Sequence, residues 1–303
     1  MADARGKLFV VVGPTGVGKT DISLTLAQQL GCAIVSCDSR QMFREMKIGT
    51  AAPTEAQLRQ VQHFFVGSRS VFEPYSAGQF ELDAIPIIEA EIARSGNALM
   101  TGGSMLYADA VCRGIDDLPT IDAETRREVA DFYAQNGIEG VRRKLRLLDP
   151  EHYAEVDLKN AKRMLHALEV MQMTGKKFSD LRTNQTKQRA FDIIKIGLNR
   201  PRAELYDRIN KRVLQMMEQG LEQEARALYP HRALNALNTV GYKELFNYFN
   251  GTWTCDHAIG MIQQNTRRYA KKQLSWFGRD KEIHWFHPDD ECEIVELVTR
   301  MKK

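Results

Sequence analysis

The chain has 303 residues, 43% of them hydrophobic, and a formal net charge of +3. That is enough apolar material for a sizeable core, in one large domain with an insertion or in two domains. No apolar run reaches the roughly 18 residues of a membrane-spanning helix. The five cysteines (Cys32, Cys37, Cys112, Cys255, Cys292) form no C-x-x-C pair, which argues against a disulfide framework or a zinc site and suits a reducing cytoplasm.

Met1 to Lys7 is polar and leads straight into an apolar run, unlike a signal peptide. Leu8, Phe9, Val10, Val11 and Val12 read as a buried parallel strand. Gly13-Pro14-Thr15-Gly16-Val17-Gly18-Lys19-Thr20 follows and fits the P-loop pattern G-x-x-x-x-G-K-[ST] at every fixed position. Asp21 to Leu30 then reads as helix, with Ile22, Leu24, Leu26, Ala27 and Leu30 apolar and Gly31 as a stop. In such a junction, backbone N–H groups and the helix dipole face an anion. Lys19 would reach terminal phosphates, and the Thr20 hydroxyl would ligate Mg²⁺. The motif specifies a di- or triphosphate; it does not specify ATP.

Cys32 to Ser36 reads as a second strand, with Asp38-Ser39-Arg40-Gln41 directly at its carboxyl end. Ligands bind at that edge of open α/β sheets. A carboxylate beside a phosphate cradle can take a proton from an acceptor substrate, and Asp38 equally suits a turn or helix cap. Thr54 and Gln57 are spaced to cap a helix, and His63 to Val66 reads as a third strand. Ser76 to Ser95 is helical, with Phe80, Ile85, Ile88 and Ile92 on one face and Gly96 at its end. Asn97 to Met100 reads as another strand, running through Thr101-Gly102-Gly103-Ser104 into a helix from Met105. That is a second strand–glycine–helix junction, whose loop is expected at the same site, although paired glycines are common.

Gly114 to Thr120 is a break. Asp122 to about Lys159 is helical and highly charged, Arg126 included, and reads as a helical insertion on an α/β core. The domain bounds expected are residues 1–117 for the first part of the core, 118–159 for the insertion and 160–303 for the remainder with its C-terminal helices. Asn160 to Gln172 continues helical, with Arg163 and His166 on one side; His166 suits a surface or helix-packing role. Phe191 to Leu198 is a strand, expected to close the sheet. Arg202 to Tyr229 is helical, with Leu205, Ile209, Val213, Met216 and Leu221 on one face. Arg208 and Arg212, one turn apart, fit a solvated face or a pair of guanidiniums aimed at a diphosphate.

Charge is uneven. Arg200 to Lys281 holds 14 Lys/Arg against 8 Asp/Glu, a net +6, while the whole chain carries +3. The most basic stretch is Thr266 to Gly278, where Arg267/Lys271 and Arg268/Lys272 are i, i+4 pairs on a helix face with Tyr269. Leu274, Trp276 and Phe277 follow. Basic residues interleaved with aromatics suit RNA phosphates and unstacked bases, or a solvated basic helix.

In combination these segments resemble the tRNA dimethylallyltransferases, also called tRNA isopentenyltransferases. GPTGVGKT, SCDSRQ, IGTAAP, YSAGQF, TGGSMLY, NAKRMLHALEV, VGYKEL and TRRYAKKQLSWF occur in the family's order, from the P-loop to about Arg279. The resemblance implies a P-loop NTPase-like parallel sheet flanked by helices, with a tRNA-contacting helical insertion and a helical C-terminal region. It implies transfer of the dimethylallyl group of dimethylallyl diphosphate to N6 of the adenosine just 3′ of the anticodon, with Mg²⁺ present, by a cytoplasmic monomer. The P-loop, Gly13 to Thr20, would then bind a diphosphate leaving group, with Thr20 on the metal. Lys19 and Arg212 would neutralise its charge, Asp38 would act as base, and Ser104 would hold the acceptor. Asp38, Ser39, Arg40, Gln41, Ser104, Arg126, Lys162, Arg163, His166, Arg267, Arg268, Lys271 and Lys272 would meet the tRNA anticodon stem-loop. Three positions depart from the family's usual residues: Ser104 for Thr, His166 for Arg and Phe43 for Tyr. The zinc finger of eukaryotic members is absent, which implies the bacterial type. Rival readings are a P-loop kinase of small molecules, which the residues alone favour, an isopentenyltransferase acting on adenylate, and a non-catalytic RNA-binding protein.

Overall fold

The computed structural model describes residues 5–183 and 185–302; residues 1–4 of the polar start lie outside the described residues. Two compact units emerge, residues 1–112 with 188–303, and residues 113–187. The larger unit is built on a six-stranded parallel sheet in the order β3-β2-β4-β1-β5-β6. Its strands are β1 (Lys7–Val12), β2 (Ile34–Ser36), β3 (His63–Phe64), β4 (Asn97–Gly102), β5 (Asp192–Leu198) and β6 (Ile283–Phe286).

The near-continuous apolar character of β1 reflects its central place. Leu8 to Val12 are all buried, because helices cover both faces of the sheet. Leu8, Val10 and Val12 face one core, with α3 (Ala77–Ser95), α4 (Met105–Cys112) and Phe80. Phe9 and Val11 face the other, with α1 (Lys19–Leu30). Asn97 to Gly102 runs beside the whole of β1, so the loops after β1 and β4 leave the sheet side by side. Ser36 pairs with Thr101, which brings the turn after β2 to the same edge.

Thr54 and Gln57 form the expected capping box on α2 (Glu55–Gln60). The third strand is shorter than expected, His63–Phe64, because Phe65 turns to φ +62°. Phe191 to Leu198 is a strand but does not close the sheet. β6 pairs outside it, with Lys195 opposite Ile283 and Leu198 opposite Phe286. The helix expected over Arg202 to Tyr229 is two, α9 (Arg202–Glu218) and α10 (Leu221–Leu228), broken at Gly220 with φ +101°.

Two helices follow, α11 (Tyr242–Phe249) and α12 (Cys255–Phe277). The Tyr242 side chain is fully buried under Gly49, where an added Cβ would lie 2.6 Å from its hydroxyl. Its hydroxyl donates to Glu224, whose two oxygens also accept from the Ile48 and Gly49 N–H groups. Losing that carboxylate would leave both half-buried N–H groups without their protein acceptor. This network explains IGTAAP and VGYKEL as partners in holding one loop. The last helix, α13 (Glu291–Met301), packs Ile294, Leu297 and Val298 into the core that holds α1.

The smaller unit is helical: α5 (Ala123–Leu148), α6 (Pro150–Glu155), α7 (Ala161–Thr174) and α8 (Phe178–Leu181). The expected insertion bounds of 118–159 are too short. Val129, Val141 and Leu145 of α5 share one core with Met164, Leu168 and Met171 of α7 and Phe178 of α8, so the unit extends to residue 187. The single helical stretch expected over 122–159 is divided twice: inside α5 at Gly137, with φ +62°, and at Asp149, whose carboxylate caps α6 and also accepts from Ser179. Among the described residues, no helix is long and apolar enough to cross a membrane.

Candidate active site

The glycine turn between β1 and α1 takes the conformation that its sequence requires. Gly13, Gly16 and Gly18 have φ of +153°, +80° and +111°, values that L side chains rarely adopt. Not all eight residues present an N–H to a ligand. The Val17 N–H donates to the Pro14 carbonyl, and the Val17 side chain is fully buried. The Thr15 N–H donates to Gln273 Oε1 at 2.9 Å. The N–H groups of Gly16, Gly18, Lys19 and Thr20 have no partner among the described residues, and they stand at the positive end of α1. Lys19 Nζ folds over the turn and donates to the Gly13 and Pro14 carbonyls, each at 2.9 Å. The exposed Thr20 hydroxyl makes no hydrogen bond among the described residues.

Asp38 lies at the end of β2. Its Oδ1 accepts from the Arg40 N–H at 2.9 Å and the Gln41 N–H at 3.3 Å, so the carboxylate orders its own turn. The Gln41 side chain donates onward to the Thr50 and Ala51 carbonyls. Ser104 Oγ accepts from the Ser39 N–H at 2.8 Å and donates to Ser39 Oγ at 3.0 Å, which ties the loop after β4 to the Asp38 turn.

Cations gather round this one carboxylate. Burial lowers the Lys19 ammonium to about 8; Asp38 opposes the shift and Arg212 adds to it. Burial likewise pushes Arg212 and Arg40 below their ordinary value, with Asp38 opposing in both cases. Neither guanidinium has a hydrogen bond or ion pair among the described residues. Two phenols complete the cluster. Tyr107 and Tyr269 are both pushed up to about 12, first by burial and with Asp38 contributing, so both stay neutral donors. Three cations against one acid leave a positive well, which an anion would fill.

The two arginines of α9 divide. Arg208 Nε donates to the Gly16 carbonyl at 3.0 Å and braces the P-loop, while Arg212 faces Lys19 and Asp38. On α12, Arg268, Lys271 and Lys272 are exposed, but Arg267 donates to Asn210 Oδ1 and sits over the Tyr206 ring. Tyr269 is turned in toward Asp38 and does not share the cationic face. Phe277 is buried, and the half-buried Trp276 donates to Asp109 at 2.9 Å with the Arg279 guanidinium over its ring. In the helical unit, Arg126, Lys162, Arg163 and His166 are all exposed, and His166 contacts Glu169 at 3.4 Å. Gln273 and Tyr107 lie inside the TRRYAKKQLSWF and TGGSMLY segments, but sequence reasoning gave neither residue a place at the site.

The model of the IPP transferase family matches residues 41–280. The chain is 54% identical over 291 residues to tRNA dimethylallyltransferase 1 of Bacteroides fragilis, covering 96% of this chain and 97% of that protein. It is 43% identical over 303 residues to tRNA dimethylallyltransferase of Flavobacterium psychrophilum, covering 97% and 99%. The crystal structure of the full-length tRNA isopentenylpyrophosphate transferase of Bacillus halodurans is similar at a TM-score of 0.72 and 33% identity, covering 98% and 97%. A eukaryotic dimethylallyltransferase acting on tRNA shares the fold at a TM-score of 0.79 and 21% identity, covering 98% of this chain and 80% of that one.

Proposed function

The chain belongs to the IPP transferase family, and from that premise we propose that it transfers the dimethylallyl group of dimethylallyl diphosphate to N6 of the adenosine just 3′ of the tRNA anticodon. The tRNA-prenylating activity follows from near-full-length identity to tRNA dimethylallyltransferases. The observation that carries the finer reading is the cluster at the sheet edge: a P-loop, two unpaired guanidiniums and a lysine around the single carboxylate of Asp38.

Each group has a task in that reaction. The free N–H groups of Gly16, Gly18, Lys19 and Thr20 bind the donor's diphosphate. Lys19 and Arg212 stabilise the negative charge that grows on the leaving group as the C–O bond breaks and an allylic cation develops. An exocyclic adenine amine is a weak nucleophile, since its lone pair is delocalised into the ring, and Asp38 takes its proton as it attacks. Ser104 holds the turn that carries Asp38. The acceptor base must leave its loop stack to reach the allylic carbon.

A divalent ion, Mg²⁺ in this reading, fits at Thr20. The described residues hold no cluster of three or more His, Cys, Asp or Glu, and the free Thr20 hydroxyl suits an ion that takes its other ligands from water and substrate phosphate. Bound there, it would supply further neutralisation of the leaving diphosphate. We read the enzyme as a cytoplasmic monomer.

Incubation with labelled dimethylallyl diphosphate and Mg²⁺, offering unmodified tRNA or AMP, tests the reading. Label should enter the anticodon-loop adenosine and leave AMP untouched. Label in AMP alone would assign the chain to the adenylate-acting transferases. Phosphorylation of a small molecule by ATP without prenyl transfer would replace the transferase reading with a kinase.

The exposed cations of α12 give a second expected result. Arg268, Lys271 and Lys272 are exposed and carry no ion pair among the described residues, so tRNA affinity should fall steeply with salt. Replacing Lys271 and Lys272 together by Ala should weaken tRNA binding and flatten the log–log salt slope by about 1–2. Donor affinity should be unchanged. Filter binding across a salt series, with donor titration alongside, measures both; equal loss of donor and tRNA binding would show that the helix face is structural.

A further inference from the structure

Gln273 lies within TRRYAKKQLSWF, but its sequence neighbours say nothing of the partners it meets. It lies on α12 and is 1% exposed. Its Oε1 accepts the Thr15 N–H at 2.9 Å, and its Nε2 donates to the Gly103 carbonyl at 2.8 Å. One side-chain amide therefore joins the glycine turn after β1 to the glycine turn after β4. The fit leaves no slack: a Cβ on Gly103 would stand 2.3 Å from Gln273 Nε2 and 3.6 Å from the Gly13 carbonyl.

The two turns carry the two halves of the reaction. The first bears Lys19 and the free N–H groups that receive the diphosphate. The second bears Ser104, which grips the Ser39 N–H and through it the turn of Asp38. Only an uncharged amide of this length offers one acceptor and one donor at the required spacing: an ionised Glu accepts only, a Leu does neither, and an Asn is one methylene short.

We propose that Gln273 is a positioning residue of the transferase, fixing the distance between the donor cradle and the acceptor-side base Asp38. It touches neither substrate. Its contribution is the geometry of attack, in which a displacement of about 1 Å costs on the order of 10²-fold in rate. The proposal rests on the transferase reading above. The competing account is that Gln273 only contributes two buried hydrogen bonds to stability.

Two variants separate these accounts. Single-turnover transfer is measured at saturating donor and tRNA, well below each variant's melting temperature, with the folded fraction checked by circular dichroism. Gln273→Leu should transfer roughly 10–100-fold more slowly per folded molecule, with donor and tRNA dissociation constants changed by less than about threefold. Gln273→Glu should be slow at pH 8, where the introduced carboxylate faces the Gly103 carbonyl. As pH falls that carboxyl gains a proton and regains a donor, so the ratio of variant to wild-type rate should climb. Taking the ratio cancels the titration of groups that the wild type shares, Lys19 and Tyr269 among them. Wild-type rates in both variants with only a lowered Tm, or a ratio flat with pH, would overturn the positioning role. So would weaker donor binding at an intact rate, which would confine Gln273 to the anion cradle. Should Gln273→Leu fail to fold, the pH ratio of Gln273→Glu still decides. Failure of the wild type to prenylate tRNA would sink the transferase reading instead, and is seen in the same experiment.

Discussion

Asp38→Asn is expected to slow single-turnover prenyl transfer by roughly 10²–10⁴-fold, the span for loss of a general base. The structure makes the substitution informative. Asp38 Oδ1 already accepts the Arg40 and Gln41 N–H groups. An Asn keeps an oxygen for those two bonds, so the turn survives. Asp38 Oδ2 has no hydrogen-bond partner among the described residues, and it is the oxygen left to receive a proton. Dissociation constants for donor and tRNA should change far less than the rate, because the lost interaction belongs to the transition state. If Asp38 only orders its loop, the Asn enzyme should keep nearly the wild-type rate. If it ligates the metal, activity should recover at high Mg²⁺. Single-turnover rates at saturating substrates across a Mg²⁺ series distinguish the three, and a near-wild-type rate would remove Asp38 from the mechanism.

What the sequence made legible followed the range of the interaction. The P-loop is local: strand, three glycines, Lys19 and helix lie within one short run, and the φ values that the glycines adopt are those that the pattern demands. Thr54 and Gln57 are three residues apart, so their capping box was readable as well. β6 was missed because Ile283 to Phe286 alternates buried and exposed positions weakly, and its strand character comes from pairing with β5, some 90 residues away. The insertion was drawn too short because its second half looks like any other amphipathic helix until Met164 and Leu168 are seen against Val141 and Leu145. For Trp276 and Tyr269, a basic helix with aromatics suits an RNA-facing surface or a solvated one. Their partners, Asp109 and the Asp38 cluster, lie far off in the chain and turn both rings inward. Gln273 is the extreme case: its bonds span 258 and 170 residues, and its place in TRRYAKKQLSWF says nothing of either partner.

Arg212→Ala should lower kcat by about 10²–10³-fold, comparable to removing one donor that stabilises charge developing in a transition state. Arg212 sits in a half-buried position with no hydrogen bond or ion pair among the described residues, and burial already pushes its guanidinium below the ordinary value. Holding an unpaired cation there is unfavourable until an anion arrives. Lys19, also depressed by burial and by Arg212 itself, is in the same position. A diphosphate relieves both, and the relief is greatest when the allylic C–O bond has broken and the leaving group carries its full charge. The loss should therefore appear mainly in kcat, with a smaller rise in the donor dissociation constant. Arg208 is the internal control from the same helix. It braces the Gly16 carbonyl of the P-loop, so Arg208→Ala should act on donor affinity more than on the rate. Arg212→Lys should recover part of the rate, since it restores charge without the planar fork that matches a phosphate. Single-turnover rates and donor affinities for the three variants check this. An Arg212→Ala enzyme with raised KM but intact kcat would show that Arg212 binds donor and transition state equally, and would leave Lys19 as the chain's own source of leaving-group stabilisation.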